Sequence, residues 1–182
     1  MKITTIGRGN VGGGLGELWQ RAGHEVVELG RDGGDCSGSD AVLLAVPQTA
    51  IADALGSVSG LESVPVIDAI NAIRAPRPDG FNSLAEYVKS LTGGPVAKAF
   101  NTNFATLYER IGEARATPSM VYAADDEARD LTERLIRDAG FEPISAGGID
   151  NARAVEDFID VIFAIAGQGG PFFYRIAPPD RL

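Results

Sequence analysis

The residues with the clearest chemical content lie at the start of the chain, in Gly7-Arg8-Gly9-Asn10-Val11-Gly12. This Gly-x-Gly-x-x-Gly run divides its labour. Gly7 allows a sharp exit from a strand, Gly9 leaves the backbone open to a pyrophosphate, and Gly12 lets the next helix pack closely. The free N–H groups at the start of that helix, with its dipole, favour an anion. Gly13, Gly14 and Gly16 extend the run, and glycine costs a helix up to about 1 kcal/mol per residue; they imply close backbone approach. A NAD-type site places Asp or Glu at the end of the second strand, on the ribose 2′-hydroxyl. That position falls at Leu29 or Gly30, and neither is acidic. Arg31 follows, and Arg8 lies inside the turn. Two guanidiniums suit a phosphate, which each can bind bidentately. The expected ligand is NADP(H), with Asp32 beside Arg31 as the competing partner.

Other candidates fall at the ends of apolar runs, where open α/β sheets bind ligands. Val46 ends one run and Pro47 and Gln48 follow it, Asn71 follows another, and Asn101 and Thr102 a third. Asn71 is expected beside a nicotinamide-side group. Lys98 is the one residue suited to act as a general acid on a carbonyl; the other reading is a lysine that snorkels or pairs with a carboxylate. The only histidine, His24, lies in a turn away from this edge and reads as structural. The single cysteine, Cys36, excludes an internal disulfide and a cysteine-rich metal site. No metal site is expected, and no Gly-x-Ser-x-Gly nucleophile elbow is present.

These residues need a scaffold of alternating strands and helices. Lys2–Ile6 reads as a buried strand. Val11, Leu15, Leu18, Trp19 and Ala22 then share a helical face, and residues 25–29 form a second strand. Residues 31–40 carry no apolar period and read as a loop. Further strands are expected at 41–46, 64–69, 95–100, 119–123 and 141–145. Helical faces follow at Ile51, Ala54, Leu55 and Val58; at Leu84, Tyr87, Val88 and Leu91; at Leu107, Tyr108 and Ile111; and at Ala128, Leu131, Leu135, Ile136 and Ala139. The segment from Arg74 to Gly80 reads as an irregular loop. Asp125 is the expected cap of one helix and Asp150 or Asn151 that of the last, which Gly167 should end. Val161 and Ile165 widen the last helix's apolar stripe. Either it is buried on two sides or it forms a homodimer surface. The fold class is α/β: a Rossmann-type, doubly wound, mostly parallel sheet with a C-terminal helix. Residues 1–148 form the dinucleotide-binding domain; 149–182 add the helix and an aromatic tail, packed on that domain or on a dimer partner.

The 182 residues suffice for one domain with a small appendage, and 45% are hydrophobic. A formal charge of −9 argues against nucleic-acid or anionic-membrane binding, so a phosphate site must be a local basic spot. No apolar run reaches membrane-spanning length. With a strand starting directly after Met1, no signal peptide is expected and the chain reads as cytoplasmic.

The chain resembles the deazaflavin (coenzyme F-420)-dependent NADP oxidoreductases and their wider group of dinucleotide-binding reductases. The resemblance rests on Gly7–Gly13, Gly23-His24-Glu25-Val26, Leu44-Ala45-Val46-Pro47, Val66-Ile67-Asp68-Ala69 and Lys98-Ala99-Phe100-Asn101-Thr102. Gly140–Pro143, Asn151-Ala152-Arg153 and Gly170-Pro171-Phe172 continue it. It implies hydride transfer between NADPH and a deazaflavin or flavin-like co-substrate. The family's phosphate pair is usually a small polar residue and an Arg; here Gly30 stands for the first and Arg31 keeps the second. Family members often have Thr or Ser where this chain has Arg8. Two other readings stay open: a reductase of a small carbonyl or imine, with Lys98 or Tyr174 as proton donor, and a non-catalytic dinucleotide sensor.

Overall fold

The structure is a computed structural model that describes residues 1–73 and 75–181. The first residue of the predicted irregular loop, Arg74, and the last of the tail, Leu182, lie outside the described residues. In chain order the elements are β1 (Lys2–Ile6), α1 (Asn10–Arg21), β2 (Glu25–Leu29), β3 (Gly34–Asp35) and β4 (Ala41–Leu44). A 3-10 turn at Gln48–Ala50 runs into α2 (Ile51–Gly56), followed by β5 (Val58–Ser59), β6 (Val66–Asp68), α3 (Leu84–Thr92) and β7 (Val96–Lys98). A 3-10 segment, Ala105–Glu113, leads to β8 (Ser119–Ala124), α4 (Asp126–Asp138), β9 (Glu142–Ser145) and α5 (Ala152–Gly169).

Seven strands form one sheet in the order β2-β1-β4-β6-β7-β8-β9. All neighbours are parallel except β7 and β8. The central strands are apolar throughout because both faces are covered. Leu43 joins the core layer of Ile3, Leu15, Trp19 and Tyr122; its neighbours Val42 and Leu44 join the other, with Leu55, Val88 and Val155. That alternation is the two-residue period of a strand buried on both sides. Each fully buried aliphatic side chain contributes roughly 1.5–3 kcal/mol. The indole N–H of Trp19 donates to the Leu135 carbonyl at 2.9 Å, tying α1 to α4.

Several local expectations change. Within the predicted loop 31–40, Gly34–Asp35 pairs with Val58–Ser59 as a small parallel ladder. α2 therefore ends at Gly56, and Val58 belongs to a strand instead of the helical face. Ala22, predicted on the buried face of α1, lies exposed at its C-cap. Asp125 occupies the N-cap of α4 without capping it; its carboxylate accepts from the Val96 N–H at 2.9 Å and from Lys89 at 2.6 Å. Asn151 at the start of α5 donates instead to the Ala146 carbonyl at 2.6 Å. Gly167 does not end α5, which continues to Gly169 and stops at Gly170, with φ 84°. The added turn, Gly167 to Gly169, is exposed, so the stop falls where the backbone leaves helical angles at Gly170 and not at the first glycine. The outer face of α5 leaves Val161, Phe163 and Ile165 exposed. Among the described residues no helix is long and apolar enough to cross a membrane, and no His, Cys, Asp and Glu cluster could hold a metal ion.

Candidate functional site

The sheet reverses direction of growth between β1 and β4, where a doubly wound fold opens a crevice at its strand ends. The glycine turn fills that position. Gly7 has φ 106°, and a Cβ there would stand 2.3 Å from the Ala45 carbonyl oxygen. A Cβ on Gly12 would stand 1.9 Å from the Gly7 carbonyl oxygen. Helix, turn and strand therefore close on one another only with glycine at both places. Gly9 differs: a Cβ there meets nothing within 4 Å and would project into the open groove. It is the N-cap of α1, with no side-chain cap and no acidic residue in the first turn. The first helical N–H groups are left for an anion. The later glycines serve packing: a Cβ on Gly14 would meet the Tyr108 ring at 2.9 Å, and one on Gly16 the Glu28 carboxylate at 3.0 Å.

Two adjoining cavities meet at Gly9, Ala45, Val46 and Pro47. The first, about 870 Å³, takes in Arg8, Gly30, Arg31 and Asp32, with Asp53 from α2 and Ser57 from its C-cap. Among the described residues neither Arg8 nor Arg31 has an ion pair or side-chain hydrogen bond; Asp32, the predicted competitor, does not engage Arg31. The second cavity, about 640 Å³, is lined by Asn10, Val11, Gln48, Thr49, Asn71 and Ile73 among others. The groove thus unites Gly7, Arg8, Gly9, Asn10, Val11, Gly30, Arg31, Val46, Pro47 and Asn71, with Gly12 packed directly beneath it. Asp53 and Ser57 escaped the sequence reading. Their four-residue spacing, on the α2 face opposite Ile51 and Leu55, was the available signal.

At the second cavity Asn71 is held by a neighbour. Its amide donates to the Asn101 carbonyl at 2.7 Å, and the Asn101 amide donates back to Asn71 Oδ1 at 2.8 Å and to the Val155 carbonyl at 3.2 Å. Asn101 is buried and orients Asn71; it does not itself line the groove. Phe100, just before it, takes φ 62°, rare for a bulky residue. Gln48 closes the far side by donating to the Ala75 and Pro76 carbonyls at 3.0 and 2.8 Å.

Lys98 is fully buried. Its ammonium lies 2.8 Å from Asp68 and 3.2 Å from Glu156, and also donates to the Ile70 carbonyl. Burial pushes the Asp68 carboxyl up, against the pull of Lys98. Asp68 accepts from the Ile70 N–H at 2.8 Å, so the lysine–aspartate pair grips both polar groups of residue 70, at the edge of the groove. Glu156 is the hub missed from sequence: it accepts from Leu84 N–H at 2.7 Å and from Arg77 at 2.8 Å. A glutamate on the apolar stripe of the last helix was the readable sign. Lys98 is therefore an internal ion-pair partner and lines neither cavity. Thr102 is likewise drawn away, bonded at 2.7 Å to the Tyr174 hydroxyl. Burial pushes the Tyr174 phenol up, and the Ser119 N–H donates to the Tyr174 carbonyl at 2.9 Å, fixing the tail beside β8. His24 bonds Asp138 at 2.8 Å, far from the turn, and Cys36 lies in the core.

These features define a Rossmann-type, doubly wound α/β fold: a glycine turn and a capless helix start at the switch point of a mostly parallel sheet. Solved structures share the architecture. A protein from Arthrobacter sp. FB24 named as a coenzyme F-420-dependent NADP reductase matches with TM-score 0.79 and 22% identity, over 98% of this chain and 100% of that one. A hypothetical protein from Sinorhizobium meliloti matches with TM-score 0.64 and 27% identity, over 82% and 85%. The reductive aminase of Aspergillus terreus, in complex with NADPH and ethyl levulinate, matches with TM-score 0.68 and 13% identity, over 92% of this chain and 63% of that protein. No family model matches the chain, and no curated protein matches it by sequence.

Proposed function

We propose that this chain is an NADPH-dependent oxidoreductase that passes a hydride between NADP(H) and a deazaflavin or flavin-type acceptor. The observation that carries the choice of acceptor is the placement of the two candidate proton donors. Lys98 is sealed among Asp68, Glu156 and the Ile70 carbonyl, and Tyr174 is tied to Thr102. Neither is presented to the groove, whereas carbonyl or imine reduction requires a positioned donor. Transfer between two planar rings needs chiefly orientation and exclusion of water. The residues fit the nucleotide: the α1 N-terminus and the open Gly9 would take the pyrophosphate, Arg8 and Arg31 the 2′-phosphate, and Asn71 the nicotinamide end. When bound, the nucleotide supplies the hydride. The likeness to the Arthrobacter protein supports this reading at the level of the fold.

The test is a binding titration with NADPH and NADH, followed by addition of oxidised coenzyme F-420 or a flavin while nicotinamide absorbance is followed. Preference for NADPH with rapid oxidation supports the reading. Preference without oxidation by any planar acceptor rejects the hydride acceptor proposed. Equal binding of both nucleotides rejects the roles of Arg8 and Arg31.

A further inference from the structure

Gly30 carries no conformational reason to be glycine. Its φ lies outside the left-handed region that the chain's other turn glycines, such as Gly7 and Gly33, adopt. Any residue could take its backbone angles. The constraint is spatial. A Cβ on Gly30 would stand 2.3 Å from Arg8 Nη2, 2.9 Å from Cζ and 3.1 Å from Nε. The guanidinium of Arg8 thus lies across the α-carbon of Gly30 and fills the volume a side chain would use. It does so without an ion pair or side-chain hydrogen bond among the described residues, within the 870 Å³ half of the groove that also holds Arg31.

The position has a defined chemical meaning. Gly30 directly follows β2, where a carboxylate would select the ribose 2′-hydroxyl of NAD. A cation now occupies that side-chain space. We infer that Gly30 is a nucleotide-specificity residue that acts by leaving its side-chain volume to Arg8, so that the glycine turn delivers the cation for a 2′-phosphate to the end of β2. Residues 8 and 30 are one coupled unit: a side chain at 30 and the guanidinium of Arg8 compete for the same volume. The inference rests on the NADP reading above.

The coupling is tested by a double-mutant cycle on dissociation constants for NADPH and NADH, using Arg8→Thr, Gly30→Ser and the double variant. Trp19 fluorescence melts check folding; both residues lie at the groove surface, outside the core. Arg8→Thr should weaken NADPH roughly 10- to 100-fold, the value of a charge-assisted phosphate contact, and leave NADH unchanged. Gly30→Ser should displace the guanidinium and weaken NADPH comparably, although it removes no phosphate-binding group. The double variant should be no weaker than either single variant, because the introduced serine side chain then enters vacated space. Multiplying losses, or a Gly30→Ser protein that keeps its NADPH affinity, overturns the coupling while leaving the NADP reading intact. A wild-type protein that binds NADH as well as NADPH overturns both.

Discussion

Replacing Lys98 with methionine isolates the role of the buried charge cluster. The methionine keeps most of the volume and removes the ammonium 2.8 Å from Asp68. Glu156 retains Arg77 and the Leu84 N–H, so the loss falls mainly on Asp68, which keeps only the Ile70 N–H. Breaking a buried pair by removing one partner costs about 3–5 kcal/mol, a large share of the roughly 5–15 kcal/mol typical of a domain. The cost should depend on pH. Burial already raises the Asp68 carboxyl in the folded protein, and loss of Lys98 raises it further. Between the unfolded value of about 3.9 and the folded value, the native state binds the extra proton, so stability falls as pH rises, by about 1.4 kcal/mol per unit. The deficit of the variant is therefore greatest near neutrality and shrinks on acidification, a trend to be read between about pH 7.5 and about pH 5.5. Urea melts followed by the single tryptophan, Trp19, measure it at both pH values. Lys98→Met with Asp68→Asn should recover most of the loss, because the charge and its orphaned partner leave together. A deficit under about 1 kcal/mol at pH 7.5, an equal deficit at both pH values, or a double variant no better than the single would refute the reasoning.

Gly9→Ala should cost about 1 kcal/mol or less in stability, the effect of a poorer cap, yet weaken NADPH more than tenfold by filling the groove; Gly12→Ala should damage folding and binding together, since its Cβ meets the Gly7 carbonyl at 1.9 Å. Thermal melts beside nucleotide titrations separate the two. Asn71→Ala should weaken NADPH by about three- to tenfold, one hydrogen bond's worth, and leave 2′-phospho-ADP-ribose unaffected; equal losses for both ligands would remove Asn71 from the nicotinamide end. Tyr174→Phe should cost about 0.5–1.5 kcal/mol through its bond to Thr102 and leave turnover with a planar acceptor unchanged. A collapse of turnover with the fold intact would return Tyr174 to the role of proton donor.

Much of the site was legible because it is local. The glycine spacing, the helix stripe from Val11 to Trp19 and the apolar run at Ala41–Val46 each follow from backbone sterics and periodicity within a few residues. They fixed the position of the crevice and most of its lining. Short elements were less legible. The two-residue ladder of β3 and β5 has no periodicity to read, and it exists only because the ends of two distant segments meet.

The sequence by itself determined a doubly wound, Rossmann-type fold, because a turn that needs glycine, a strand that needs two covered faces and a helix with one apolar stripe are properties of adjacent residues. Tertiary structure decided which polar residues line the groove and which are locked away. Lys98, Asn101 and Thr102 stand at strand ends like Pro47 and Asn71, but partners remote in the chain, Glu156, Val155 and Tyr174, claim them. It also decided that Arg8 lies across Gly30, far from it along the sequence. Hydrogen bonds, ion pairs and excluded volume are settled by distance in space, and no pattern along the chain encodes that distance.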